Sequence, residues 1–195
     1  GVNTGVQLWL RADANVTTSG SAVVNWNDGS GNSKHFTTQS PVTTGKGTLT
    51  SNALNFNPVV SFNGTDGFRE NLSLDIRSAY IVYKHTSTRD WETPFTSDSS
   101  IITDGLFHGD DATGDVYSDT WTPAISKGGA NYVNGATTSL IAHPRPATHQ
   151  LHSRLNTANS SGSGNYYLGL DRTFSDRAIT GDIAELVLYS TDTAA

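Results

Sequence analysis

The side chains most able to do chemistry lie close together in residues 104–121, DGLFHGDDATGDVYSDTW. This stretch holds Asp104, Asp110, Asp111, Asp115 and Asp119, interleaved with Gly105, Gly109 and Gly114. Calcium takes oxygen ligands from carboxylates, carbonyls and water, and glycines let a backbone fold around the ion. Asp110, Asp111, Asp115 and Asp119 are therefore candidate calcium ligands. The spacing is not that of a twelve-residue EF-hand loop, because no Glu closes it. A solvated acidic loop is the competing reading.

Aromatic residues stand in the same loop-rich middle. Trp91, Tyr117 and Trp121 lie near acidic residues, with Glu92 adjacent to Trp91. A flat apolar wall with a few polar anchors suits small ligands, and sugars in particular. Trp91, Glu92, Tyr117 and Trp121 are the candidate ligand contacts, although Trp91 and Trp121 could equally fill a core. Trp9 and Trp26 read as core residues. His143, His149 and His152 crowd a Pro-containing stretch. On a strand, however, His149 and His152 would face opposite ways, which weakens a shared metal site.

Composition narrows the classes. The chain has 195 residues, a net charge of −6 and 15% charged residues. That charged fraction is below the roughly 25% of an average domain. An acidic chain lacks the basic patch that nucleic acid or an anionic membrane rewards. Of the 18 acidic residues only Glu70, Glu92 and Glu185 are glutamates, and an aspartate bias suits turns and calcium loops. With no cysteine, disulfides and thiolate chemistry are excluded. No apolar run reaches membrane-spanning length, so no membrane insertion is expected. The ends, GVNTGVQLW and STDTAA, are expected to continue into a larger multidomain chain.

The elements that must position these residues are strands. Residues 6–10, 23–26, 35–39, 68–74, 79–86 and 149–155 alternate or are β-branched and aromatic. Residues 40–52 read as a surface loop, and residues 53–63 as two pieces broken near Pro58. Residues 124–125 read as a short strand, and Asn134-Gly135 as a hairpin turn. Residues 159–164, NSSGSG, read as a flexible turn before two closing strands. Those strands, in residues 164–190, read as a hairpin in which Ile183, Glu185, Val187 and Tyr189 share one face. Ala184, Leu186 and Leu188 share the other. Residues 190–195 read as the start of a helix. Strands about every ten residues with Gly-rich turns predict an all-β single domain over residues 1–195, a two-sheet antiparallel β-sandwich or jelly roll.

Three segments carry a resemblance. They are Leu8-Trp9-Leu10-Arg11-Ala12-Asp13 with Trp26-Asn27-Asp28-Gly29-Ser30-Gly31-Asn32, then Asn57-Pro58-Val59-Val60-Ser61-Phe62-Asn63-Gly64-Thr65-Asp66, then Gly169, Asp171, Arg172, Gly181, Ile183, Ala184, Glu185 and Tyr189. In this order they resemble concanavalin A-like, laminin-G-like β-sandwich domains of bacterial surface proteins. The resemblance implies a non-catalytic, extracellular ligand-binding module of an adhesin or other surface protein. It would bind a glycan on a cell or matrix surface, with calcium ordering its loops.

A peptide- or protein-binding adhesin domain is the nearest alternative. The same fold also carries glycoside hydrolases and polysaccharide lyases. Retaining hydrolysis needs two closely spaced carboxylates. The family's hydrolases carry them in a Glu-x-Asp strand pattern that Glu70, Glu92 and Glu185 do not form. The lyases of this fold use Arg, Gln-x-His and Tyr. Gln150-Leu151-His152 has the Gln-x-His form, with Tyr117 or Tyr167 as a possible proton donor. No catalytic residue is assigned.

Overall fold

The computed structural model describes residues 4–87, 89–98, 107, 114–118, 120, 122–172 and 177–193. The elements in chain order are β1 (Val6–Arg11), β2 (Val16–Ser19), β3 (Ala22–Trp26), β4 (Thr48–Leu54), β5 (Asn57–Asn63), β6 (Phe68–His85) and β7 (Phe95–Ser97). These are followed by α1 (Ala124–Lys127), β8 (Ala130–Val133), β9 (Ala136–Thr137), β10 (Gln150–Leu168) and β11 (Thr180–Tyr189). Among the described residues the protein's named elements are all strands apart from the single turn of α1. Its strands form a large antiparallel sheet in the order β2-β3-β4-β5-β11-β6-β10-β8-β9, with β1 also paired to β11 and β7 to β10.

The closing strand β11 is central. β6 runs along one side of it, while β5 and then β1 share the other. The two closing strands are not a hairpin, because β6 lies between β10 and β11. One irregularity corrects the expected facing. The register shifts between Ile183 and Glu185, so Ala184 is a bulge. A one-residue bulge reverses the side-chain phase. Ile183 therefore joins Leu186 and Leu188 in the core instead of sharing a face with Glu185 and Val187.

β6 and β10 are the two longest strands, and both change phase midway. Around the middle of β6 the buried positions are Leu74, Ile76 and Ser78, then Ala79, Ile81 and Tyr83. Opposite this switch β10 carries residues 156–159 between the partners of Ser78 and Ile76. The run expected to be a turn, residues 159–164, is instead strand, and residues 160–164 pair one by one with β6. Asp75 makes that possible: it accepts Asn159 Nδ2 at 2.9 Å and the Ser161 hydroxyl. Pairing context here overrides a weak strand propensity.

Other expectations shift for similar reasons. Thr48 opens β4 inside the expected loop, and Thr50 Oγ1 meets Ser61 Oγ at 2.8 Å across the β4–β5 pair. Pro58 sits inside β5, at a position with a partner on neither β11 nor β4, so its missing N–H costs no ladder bond. Residues 35–39 contribute only bridges, at Phe36 and Gln39. Ala124 and Ile125 are helical rather than extended; Pro123 precedes α1, and Arg154 donates to Ser126 Oγ at 2.6 Å. Residues 190–193 form no helix; Thr191 and Thr193 instead lie against Ser78 and Tyr80. The turn Asn134-Gly135 is as expected, with φ of 50° and 81° between β8 and β9.

The core gathers Leu8, Leu10, Trp26, Phe36, Phe68, Ile81, Phe95, Tyr166, Ile183, Leu186 and Leu188 into one cluster. Phe36 packs edge-on against Phe68 and Phe95, at centroid distances of 6.1 and 6.4 Å. Gly169 has φ +79°, and a Cβ there would stand 2.5 Å from the Phe62 ring, so only glycine fits that approach.

Candidate functional site

From Leu8 onward β1 alternates. Leu8, Leu10 and Ala12 are buried, so Trp9, Arg11 and Asp13 must project from the opposite face. There they line a groove of about 240 Å³ together with Leu54, Asn57, Pro58, Val82, Ala184 and Glu185. Trp9 is thus half-buried at the surface rather than a core residue, while Trp26 is in the core as expected. The Trp9 indole N–H donates to Glu185 Oε1 at 2.6 Å. The Arg11 guanidinium lies 5.2 Å from the centre of the Trp9 ring and grips Asp13 through two bonds, of 2.9 and 2.7 Å. This hydrogen bonding holds the Asp13 carboxyl below the ordinary range and raises the guanidinium.

The turn at residues 27–32 fixes the backbone beneath the indole. Asp28 Oδ1 accepts the Trp9 N–H at 2.9 Å, and Gly29 donates to the Trp9 carbonyl at 2.7 Å. Asp28 also accepts from Ser30 and Lys34, so its carboxylate is spent on the turn. Each of the three segments that carry the sequence resemblance contributes to this groove. The first gives Trp9, Arg11 and Asp13, the second Asn57 and Pro58, the third Ala184 and Glu185. None of these residues is among the expected ligand or metal contacts. Their signal was present in the alternation Leu-Trp-Leu-Arg-Ala-Asp, which sets tryptophan, arginine and aspartate on one face.

The expected ligand residues lie elsewhere. Trp91 is half-buried, has a φ of 61°, and carries the Arg177 guanidinium 5.2 Å from its ring centre. Glu92 is fully buried. Its Oε1 accepts both the N–H and the hydroxyl of Thr180 at 3.0 Å, and its Oε2 faces His85 Nδ1 at 3.3 Å and Arg145 at 3.8 Å. Burial pushes the His85 imidazole below its ordinary pKa, against the opposing pull of Glu92. Tyr117 is also fully buried; its hydroxyl bonds to Asn131 at 3.4 Å and accepts from Arg154 at 3.3 Å. Glu92 and Tyr117 therefore act inside the fold rather than on a ligand face. Trp121 lies outside the described residues.

Of the candidate calcium ligands, Asp110, Asp111 and Asp119 also lie outside the described residues. Asp115 is half-buried and bridges to Pro144 through the main chain. Among the described residues no group of three or more potential ligands is assembled for a metal. His149 and His152 do face apart. His149 Nε2 lies 3.4 Å from Asp182, while His152 is enclosed beside Tyr83. Gln150 Oε1 sits 3.0 Å from His152 Nε2, and the Tyr83 hydroxyl 3.5 Å from its Nδ1. The tyrosine beside the Gln-x-His pair is thus Tyr83, with Tyr117 engaged by Asn131 and Arg154 and Tyr167 buried on β10. Burial, reinforced by His143 and His85, pushes the His152 pKa down to about 3.

No family model and no curated protein matches the chain. Among solved structures, the catalytic unit of the thermostable GH87 α-1,3-glucanase from Streptomyces thermodiastaticus strain HF3-3 is similar over 98% of this chain and 28% of that one, at 12% identity and a TM-score of 0.31.

Proposed function

We propose that this chain is a non-catalytic, extracellular glycan-binding module of a surface protein, and that its ligand is a neutral oligosaccharide held in the Trp9 groove. The observation that carries this reading is Trp9 itself, an indole placed outside the core among an amide, a guanidinium and two carboxylates. An aromatic face takes the C–H side of a sugar ring, and polar groups around it take the hydroxyls. One cation and two carboxylates leave the lining acidic, which favours neutral or amino sugars over uronic acids.

A two-layer, concanavalin A-like arrangement of the strands belongs to the same proposal. The phase switches of β6 and β10 support it, since each long strand could then serve both layers. Calcium ordering of residues 104–121 is likewise proposed. Lack of catalysis is supported by the glutamates, each engaged in a different place: Glu70 by Thr37 and Thr38, Glu92 by Thr180, Glu185 by Trp9.

A glycan array probed with the wild type and with Trp9→Ala tests the reading. Binding to neutral glycans that is lost in the variant is expected. Binding to a peptide array alone would favour the peptide-binding alternative. The contact of Gln150, His152 and Tyr83 gives the lyase alternative its one specific support. Rising ultraviolet absorbance on alginate that disappears in His152→Ala would establish that alternative. The enclosure of His152 leads us to expect no such product.

A further inference from the structure

β4 and β5 are joined by the tightest of hairpins. Leu54 pairs with Asn57, which leaves a two-residue turn, Asn55-Phe56. Both residues have positive φ, 48° and 68°, the pattern of a type I′ turn. Asparagine tolerates the first position, but the second is ordinarily glycine. A phenylalanine there brings its Cβ against the backbone and is a genuine outlier. The ring also gains nothing from burial, since Phe56 is 91% exposed, the most exposed large apolar side chain among the described residues. Sequence and fold thus keep a residue at this tip that costs stability through its backbone and recovers none through packing.

The tip adjoins the groove. Leu54, Asn57 and Pro58, which flank the turn on both sides, line the groove together with Trp9, Arg11 and Glu185. Strain retained at such a position points to function.

We propose that Phe56 is a ligand contact, the second aromatic surface of the Trp9 groove. A neutral oligosaccharide would lie between the indole and the hairpin tip, which makes the groove selective for a chain of several sugars over a single one. This rests on the glycan reading above. The role differs from that of Trp9, whose indole is tied to Glu185 and whose main-chain N–H is held by Asp28. Trp9 is a fixed floor; Phe56 is a contact that becomes covered only when ligand is present.

The test is calorimetric titration with cellohexaose, laminarihexaose and chitohexaose, alongside thermal melts of each variant. Phe56→Ala keeps the backbone strain of a side chain at positive φ and removes the ring. Phe56→Gly removes both the strain and the ring, and Phe56→Tyr keeps both. The expected result is a loss of about tenfold in affinity for Phe56→Ala and Phe56→Gly, with Phe56→Tyr near wild type. Phe56→Gly should melt about 2 °C above the wild type, so weaker binding would accompany higher stability. If Trp9→Ala weakens binding while Phe56→Ala and Phe56→Gly bind as the wild type does, this proposal is overturned and the glycan reading stands. If no hexaose binds the wild type, or Trp9→Ala changes nothing, both are overturned.

Discussion

Replacing Glu92 with glutamine separates a residue that binds ligand from one that holds the fold. The side chain keeps its size but loses its charge. Thr180 N–H and hydroxyl can still reach the amide oxygen, each now 3.0 Å from Oε1. Oε2 would become an N–H₂ group facing Arg145 at 3.8 Å and His85 at 3.3 Å. Arg145 has a side chain only 5% exposed, so water cannot replace the lost anion. Removing one partner of a buried pair costs about 3–5 kcal/mol. The separation from Arg145 is long, and Arg145 also donates to the Arg89 carbonyl, which places Glu92→Gln near the low end, about 3 kcal/mol. For a chain of this size that is a drop in Tm of about 6–12 °C. Thermal and urea melts followed by circular dichroism measure it, and glycan affinity below the transition should not change. An unchanged Tm with weakened ligand binding would refute the reasoning and return Glu92 to the ligand face.

Acid should destabilise the protein through His152. Its pKa is about 3 in the folded chain and about 6.5 unfolded, so the unfolded state takes the proton first; stability is complete above pH 6.5 and drains as pH falls toward 3. From pH 7 to pH 5 this amounts to about 2 kcal/mol, with His85 and His149 shifted in the same direction, and equal urea midpoints at the two pH values would contradict it. Gly169→Ala should cost about 2 kcal/mol or more, because its Cβ would meet Phe62 and its φ is positive; an unaltered melt would show that the contact relaxes freely. Leu186→Ala, emptying a fully buried site on β11, should cost about 2–5 kcal/mol by urea titration. Millimolar calcium should raise the Tm, EDTA should reverse the rise, and Asp110→Ala or Asp111→Ala should blunt it; a Tm indifferent to calcium would reduce residues 104–121 to a solvated acidic stretch.

Much of the all-β architecture was legible where alternation met one buried face, as in β1 and most of β11. Alternation alone could not reveal the bulge at Ala184, which moves Ile183 to the core side, because a bulge is a property of two paired strands. Nor could the run NSSGSG reveal itself as strand, since its partner Asp75 lies far away in sequence. The site was less legible for a different reason. Acidic and aromatic residues crowded into a loop attract attention by density, yet Glu92 and Tyr117 turn inward to satisfy buried cations. Trp9 was set aside because a tryptophan amid leucines reads as core. The period of two already contradicted that, since Leu8 and Leu10 cannot be buried on the same face as Trp9.

The most direct measurement is the heat of binding of cellohexaose, laminarihexaose and chitohexaose to the wild type and to Trp9→Ala, with folded state confirmed by circular dichroism. The account predicts a measurable heat for at least one hexaose with the wild type, loss of at least tenfold in affinity with Trp9→Ala, and no comparable heat from an oligouronate. Equal affinity in the two proteins, or a preference for the oligouronate, would contradict it.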